Sequence, residues 1–512
     1  MTKSHVLGFP RLGPDREYKK AVEAYWNGKI NQNELLQKGA SIRKNNWLTQ
    51  KDAGLDYVTV GDFAWYDHIL DLSVMLSVIP SRFTTDNEAV DLDTMFRMAR
   101  GRAPQGKDAP ACEMTKWFNT NYHYLVPEFS QNQQFTLGDY CPVLNHIDEA
   151  QQHGHQVKAS IVGPLSFLWL GKCADTEFDK LSLLSDLCNA YSQVLGQMKS
   201  KGVEWVQIDE PVLALDLPQE WRDAYATAYN LISKDSPKII LSTYFGDLAE
   251  NFSAIANLPV AGLHLDTTRA KNWQESAKQW DKSKVLSLGV INGRDVWQSD
   301  LQAKQQLLEK VQKEIAPAEL WVGSSCSLLH TPVDLDSETK LDDELKQWLA
   351  FAKQKCREVA VLGKALNGNI NDSEQQEIDA NAKAAQARKT STRIHKEEVA
   401  KRVSSITPQM MERDSAFPQR SAAQKEHIKL PSFPTTTIGS FPQTAEIRSL
   451  RGKFKRGAID EAGYTEAMRK EIATMVAKQE EIGLDVLVHG EPERNDMVEY
   501  FGELLDGIAV TS

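Results

Sequence analysis

The stretch EWVQIDEP (204–211) sets two adjacent carboxylates, Asp209 and Glu210, directly behind an apolar run. Two charges in that position are costly unless water or a partner meets them, so they mark a solvated strand end or a site. The same arrangement recurs along the chain. Asp62 follows YVTVG, Gly163 follows VKASIV, Thr243 and Tyr244 follow KIILS, and Asp266 follows GLHL. Asn292 and Arg294 follow VLSLGVI, and Ser324 to Cys326 follow LWVG. Taken singly, each reads as the polar end of a strand. Taken together, they would gather carboxylates, hydroxyls, an amide and a guanidinium on one face.

The elements that would position them are eight short apolar runs: 6–10, 57–63, 157–164, 205–211, 238–245, 262–268, 285–292 and 320–327. They lack strict alternation, as strands buried on both faces do. Helical patterns lie between them, such as FDKLSLLSDLCNAYSQVLGQMKSKG (178–202), stopped by Gly202, and LQAKQQLLEKVQKEI (301–315). Strand alternating with helix predicts a parallel α/β fold, and eight units predict a (β/α)8 TIM barrel with its polar strand ends on the C-terminal face. An insert over 64–156 is too long for a plain connection. Its segment RGRAPQGKDAPACEMTKWFNTNYHYLVPEF (100–129), rich in aromatics and amides, suits a lid, a pocket wall or an accessory subdomain. The polar stretch 365–434 reads as a helical linker, which makes residues 1–364 the first domain.

The chain also repeats itself. Residues 25–62 align without a gap on 454–491 at an offset of 429, bringing Gly28 onto Gly457, Gln50 onto Gln479, GLD (54–56) onto GLD (483–485), and Gly61-Asp62 onto Gly490-Glu491. SHVLGFP (4–10) likewise echoes TTTIGSFP (435–442). Residues 435–512 therefore read as the first strands of a second, incomplete TIM barrel. Two strands cannot close a barrel, so the expected whole is roughly 750 residues long.

Bulk properties narrow the class. A net charge of −11 argues against a general nucleic-acid binder. MTKSHVLGFPRLG lacks a secretory apolar core, and no run is long enough to span a membrane. The six cysteines (112, 141, 173, 188, 326, 356) are scattered without a CxxC, the usage of reduced thiols in a cytoplasmic protein. A monomer is expected.

GFPRLGPDREYKKA, VGDFAWYDHIL, EMTKWFNTNYHYLVPEF, EWVQIDEPVLALDLP, LWVGSSCSLLHTPVDLDSET, TTTIGSFPQTAEIR and VHGEPERNDMVEYF resemble the cobalamin-independent methionine synthases, along essentially the whole chain. That family transfers methyl from 5-methyltetrahydropteroyltri-L-glutamate to L-homocysteine, on two face-to-face barrels, with zinc and without cobalamin. The resemblance implies a folate-binding role for Arg16, Glu17, Tyr18 and Lys19 and for Lys116. It implies a homocysteine or methionine site at Ile438, Gly439, Ser440 and Glu491. The chemistry agrees. A triglutamate tail is polyanionic and suits Lys and Arg near a helix start. A glycine lets backbone N–H groups approach a carboxylate, and Glu491 could meet an ammonium.

The family's zinc ligands are a His-x-Cys pair, a Glu and a second Cys late in the second barrel, where its proton-donating His also lies. None of these positions has a counterpart here: after residue 435 the only histidine is His489, and there is no cysteine. The expectation is a chain with no catalytic residue or metal site of its own, inactive alone. A non-catalytic folate-binding or scaffold derivative, and a relative using another methyl donor, are the alternatives. EMTKWFNTNYHY and DREYKK favour folate over the latter.

Overall fold

The computed structural model describes residues 2–84, 90–174 and 176–511. Two compact units divide it, Met1–Arg388 and Lys389–Ser512.

In the first unit, eight strands form one sheet. In chain order they are β1 (Lys3–His5), β2 (Val58–Val60), β3 (Val157–Val162), β4 (Trp205–Asp209), β5 (Lys238–Ser242), β6 (Gly262–Asp266), β7 (Val285–Ile291) and β8 (Glu319–Ser324). The sheet runs β1-β8-β7-β6-β5-β4-β3-β2, with every recorded pairing parallel. The seam between β1 and β2 is drawn shut locally. Asp56 N donates to Ser4 O at 3.1 Å, and Thr59 Oγ1 donates to Val6 O at 2.6 Å. This is the (β/α)8 barrel expected from eight doubly buried runs.

The first strand lies earlier than the 6–10 run suggests. Its ladder ends where His5 faces Gly323, and side chains then hold the chain. Leu7 N donates to Ser324 Oγ at 3.1 Å and Phe9 N to Asp62 Oδ2 at 2.7 Å. Val6 to Phe9 are apolar because they are buried, yet they no longer pair as a strand.

The N-terminal end of the barrel is closed by rings. Trp321 stacks on Tyr57 at 5.1 Å and meets Trp205 edge-on at 4.6 Å. Above them the interior is polar: His5 Nε2 and His264 Nδ1 share Ser287 Oγ at 2.7 and 2.8 Å. Lys158, fully buried, donates to Val6 O at 3.1 Å and to Gln207 Oε1.

The insert shares a small core with the helix Glu17–Trp26, where Tyr25 packs with Met95, Phe96 and Leu125. It also reaches over the barrel mouth through the helix His68–Met75, capped by Asp67, and the hairpin Met114–Lys116/His123–Leu125. Part of the stretch expected to be linker belongs to this unit. The helix Asp372–Thr390 buries Ile378 and Ala384, and its Asn381 accepts from Leu301 N at 3.0 Å and donates to Ser299 O at 2.8 Å.

In the second unit the repeat is structural. Helix α1 (Glu17–Trp26) corresponds to Ala445–Lys455, and the 22-residue α2 (Gln32–Ala53) to the 22-residue helix Glu461–Ile482. Both long helices end on a left-handed glycine, Gly54 at φ 95° and Gly483 at φ 84°, a conformation that favours glycine. The segments expected to be strands, 435–442 and 484–490, run extended and are tied together by Val486 N to Thr435 O and Phe441 N to Gly490 O, each 3.0 Å. They form no ladder among the described residues, since two neighbouring segments without a sheet around them pair only marginally.

Candidate functional site

Of the residues expected to meet folate, Tyr18 and Lys19 share a cleft where α1 faces the insert hairpin, and Arg16, Glu17 and Lys116 do not line it. Tyr18 and Lys19 line one cleft with Met114, Asn121 and His123. Tyr18 donates its hydroxyl to Trp65 O and stacks on the Trp65 ring at 6.0 Å. Burial raises the pKa of that hydroxyl, keeping it a neutral donor. Lys19 is exposed and only 3.8 Å from Glu23, a loose pair that leaves it available to an anion. Arg16 precedes the helix in a left-handed conformation at φ 59°, with its side chain in water. Glu17 has a local task, accepting from Asp15 N at 3.0 Å. Lys116 lies on the hairpin strand, exposed and paired in register with His123, but outside the lining of the cleft.

Arg11 is the cleft's unforeseen member. Its guanidinium lies 5.2 Å from the Tyr18 ring and 5.5 Å from that of Tyr122, and donates to Tyr122 Oη at 3.3 Å. Burial works against its charge, but Tyr122, Tyr18, Asp67 and Asp71 outweigh it and hold the pKa above the ordinary value. GFPRLG reads as a plain turn, so only the long-range packing of residue 11 on residue 122 exposes the role.

In the second unit, the turn Ile438-Gly439-Ser440 and Glu491 are brought side by side. Phe441, next to Ser440, donates its N–H to Gly490 O, the carbonyl that precedes Glu491. Ile438 is fully exposed, and the space around Gly439, at φ 149°, is open. Glu491, at φ 51°, forms an ion pair with Arg494. A ligand ammonium would therefore compete with Arg494 for this carboxylate.

The two adjacent carboxylates of EWVQIDEP part company. Asp209 faces the barrel mouth, accepting from Gln207 Nε2 at 2.8 Å and Tyr244 Oη at 3.4 Å. Burial raises its pKa and lowers that of Lys158, while each charge steadies the other. Glu210 turns the opposite way, beneath the helix Pro164–Leu170, where Leu165 N and Ser166 N donate to it. It is structural.

Among the described residues no group of three or more His, Cys, Asp or Glu is arranged to hold a metal. Residues 435–511 contribute one histidine and no cysteine. Among the described residues the donors present do not fit a zinc centre.

Comparison with known proteins bears on both units. Residues 3–316 match the family described as "Cobalamin-independent synthase, N-terminal domain", and residues 433–512 match "Cobalamin-independent synthase, Catalytic domain". A curated relative from Photorhabdus laumondii is 51% identical over all of this chain and 67% of its own length. One from Yersinia pseudotuberculosis is 50% identical over 99% of this chain and 66% of its own. The chain belongs to the cobalamin-independent methionine synthase family. It spans about two thirds of the length of these relatives, both named 5-methyltetrahydropteroyltriglutamate--homocysteine methyltransferase. Cobalamin-independent synthases are methyltransferases of methionine biosynthesis, so the fold described here is an enzyme family's.

Among solved structures, a B12-independent methionine synthase from Shewanella sp. W3-18-1 is similar at 12% identity, covering 66% of this chain and 91% of its own, with a TM-score of 0.49. A putative vitamin-B12-independent methionine synthase from Listeria monocytogenes is similar at 15% identity over 72% of this chain and 98% of its own, with a TM-score of 0.45. The barrel assignment rests on the strand pairings above. No helix among the described residues is long and apolar enough to cross a membrane.

Proposed function

We propose that this chain supplies the substrate-binding parts of a methyltransferase that moves the methyl group of 5-methyltetrahydropteroyltri-L-glutamate to L-homocysteine, giving L-methionine, in the cytoplasm. The observation that carries the reading is the 50–51% identity to methyltransferases of that name along the whole chain, across both family domains.

The local chemistry supports it. The α1 cleft offers Lys19, Arg11 and hydroxyl-bearing rings to a polyanionic tail, with exposed Arg16 and Lys116 nearby in the same unit. The turn 438–440 offers backbone to an amino-acid carboxylate, and Glu491 offers charge to its ammonium. Zinc, where the family uses it, would activate the homocysteine thiol. The residues here would bind and orient substrates and leave that activation to ligands they do not include.

Two measurements test the reading. Calorimetric titration of the 512-residue chain with the triglutamate folate and with homocysteine is expected to show binding of the folate. Radiolabelled methyl transfer from the folate to homocysteine without cobalamin is expected from the gene's natural product. A natural product that makes no methionine from this pair would overturn the assignment.

A further inference from the structure

The mouth of the first barrel holds a second cleft. It shares only Tyr122 with the α1 cleft. Its polar lining is one-sided. Asp62 and Asp209 reach it from the strand ends and Asp71 from the insert helix, while no lysine or arginine lines it. Lys158 lies behind Asp209 and is already bound to Val6 O and Gln207. Arg11 and Asp67 are also near, but Arg11 is held against Tyr122, and Asp67 is spent on Ile69 N, Leu70 N and Leu125 N. The rest of the wall is apolar, with Leu72, Met75, Val143, Ile161 and Trp117.

Two atoms in this lining have no partner. Asp71 Oδ1 and His146 Nδ1 belong to side chains that are each only 8% exposed, and neither atom makes a hydrogen bond, although the Asp71 carboxyl is also bonded to Tyr140. A buried polar atom left unpaired is costly, so an unmatched pair in a cleft points to something that completes it. Burial drives the pKa of His146 well below its ordinary value and that of His68 to about 3, leaving both rings neutral at physiological pH, and it raises the carboxyls, Asp71 well above its ordinary value, Asp62 to about 6 and Asp209 to about 7. The lining thus offers carboxyl oxygens and neutral rings, and a cation held there would draw the Asp62 and Asp209 carboxyls into their charged form. An anion would face three carboxyl groups and no lining lysine or arginine, and a wholly apolar molecule would leave Asp71 Oδ1 unmet.

We propose that the first barrel's mouth is a binding site for a small organic cation, a primary amine or amidine carried on an apolar or aromatic body. The head group would donate to the carboxylates, and the body would lie against Trp117, Met75 and Ile161. The site is independent of the α1 cleft and of the turn at Gly439, so it stands or falls apart from the methyl-transfer reading.

The test compares 2-phenylethylamine with 2-phenylethanol, nearly equal in shape and different in charge, on the 512-residue chain by calorimetry and tryptophan fluorescence. Saturable binding of one amine per chain, roughly tenfold or more tighter than the alcohol, is expected. Asp71→Asn, checked for an unchanged melting curve, is expected to lose most of that preference. No binding of the amine, or equal binding of the two compounds, overturns the proposal. So does a folded Asp71→Asn/Asp209→Asn double variant that binds the amine as the unaltered chain does. If the variants do not fold, the amine-to-alcohol ratio on the unaltered chain decides.

Discussion

Gln50 accepts the backbone N–H of Thr59 through its side-chain Oε1 at 2.9 Å, and Gln479 accepts that of Val488 at the same distance, one repeat length away. In each unit a long helix thereby reaches across a left-handed glycine to fix the segment that follows it. Gln50 is fully buried and Gln479 is 1% exposed. The second bond persists although the segment it holds forms no ladder, so the helix–glutamine–glycine module carries its geometry locally.

Gln50→Ala leaves the Thr59 N–H buried without a partner at the barrel seam. It is expected to destabilise the first unit by about 1–3 kcal/mol, read as a lower urea midpoint with an unchanged slope. An unaltered midpoint would mean that water or a neighbouring carbonyl replaces the glutamine.

Glu210 is ringed by donors: Ser166 Oγ at 2.5 Å, Ser166 N at 2.7 Å, Leu165 N at 3.2 Å, Tyr229 Oη at 3.3 Å and Tyr225 Oη at 3.4 Å. Glu210→Gln keeps the shape but turns an N–H2 toward other donors. A loss of about 1–3 kcal/mol in denaturant unfolding is expected, at odds with the usual mildness of that exchange. A neutral result would show that the ring of donors tolerates an amide by rotating its hydroxyls.

What the sequence made legible follows from which forces are local. Six of the eight strands fall within the apolar runs and the last begins one residue ahead of its run, because burial on both faces leaves a continuous signature. The first is displaced because Val6 to Phe9 are buried by a turn rather than by a ladder. The repeat was readable because Gly54, Gly61 and Gln50 have fixed backbone tasks that their partners at 483, 490 and 479 share. Arg11, Asp71 and His146 were not readable as site residues. Each gains its meaning from the insert folding over the barrel, a relationship that spacing along the chain does not encode. Glu210 was readable as a carboxylate in need of a partner, but its nearest donors lie more than forty residues back, at Leu165 and Ser166.

Asp62 gives a pH test. Burial outweighs the hydrogen bonds it receives and raises its pKa from 3.8 to about 6. Between these values the folded chain binds more protons at this site than the unfolded chain. The group's contribution is therefore present below the unfolded pKa and is lost as pH rises through about 6. Asp62→Asn removes the titration and keeps an acceptor for Phe9 N. The unaltered protein is expected to lose up to about 3 kcal/mol relative to the variant between pH 4 and pH 7. Parallel stability profiles would rule out the raised value.

Metal content follows from the donor inventory. Among the described residues no cluster of three His, Cys, Asp or Glu is found, and past residue 435 only His489 offers an imidazole. The 512-residue chain, equilibrated with zinc and then dialysed, is expected to retain far less than one zinc per chain by atomic emission. One retained zinc would require a ligand set that these side chains form only after rearrangement.

Lys19 and Lys116 separate the ends of the proposed folate. Both are exposed, and Lys19 is only loosely paired with Glu23, so each is free to meet a glutamate tail. Exposed charge pairs contribute up to about 1 kcal/mol, so Lys19→Ala is expected to weaken triglutamate folate binding roughly two- to fivefold. Binding of the monoglutamate should change less. Lys116 stands outside the cleft that Tyr18 and Lys19 line, so Lys116→Ala should show the smaller effect unless the tail runs along the hairpin. High salt should shrink both differences, because exposed charges are screened. Equal losses for monoglutamate and triglutamate would place these lysines against the pterin end and reverse the orientation proposed for the ligand.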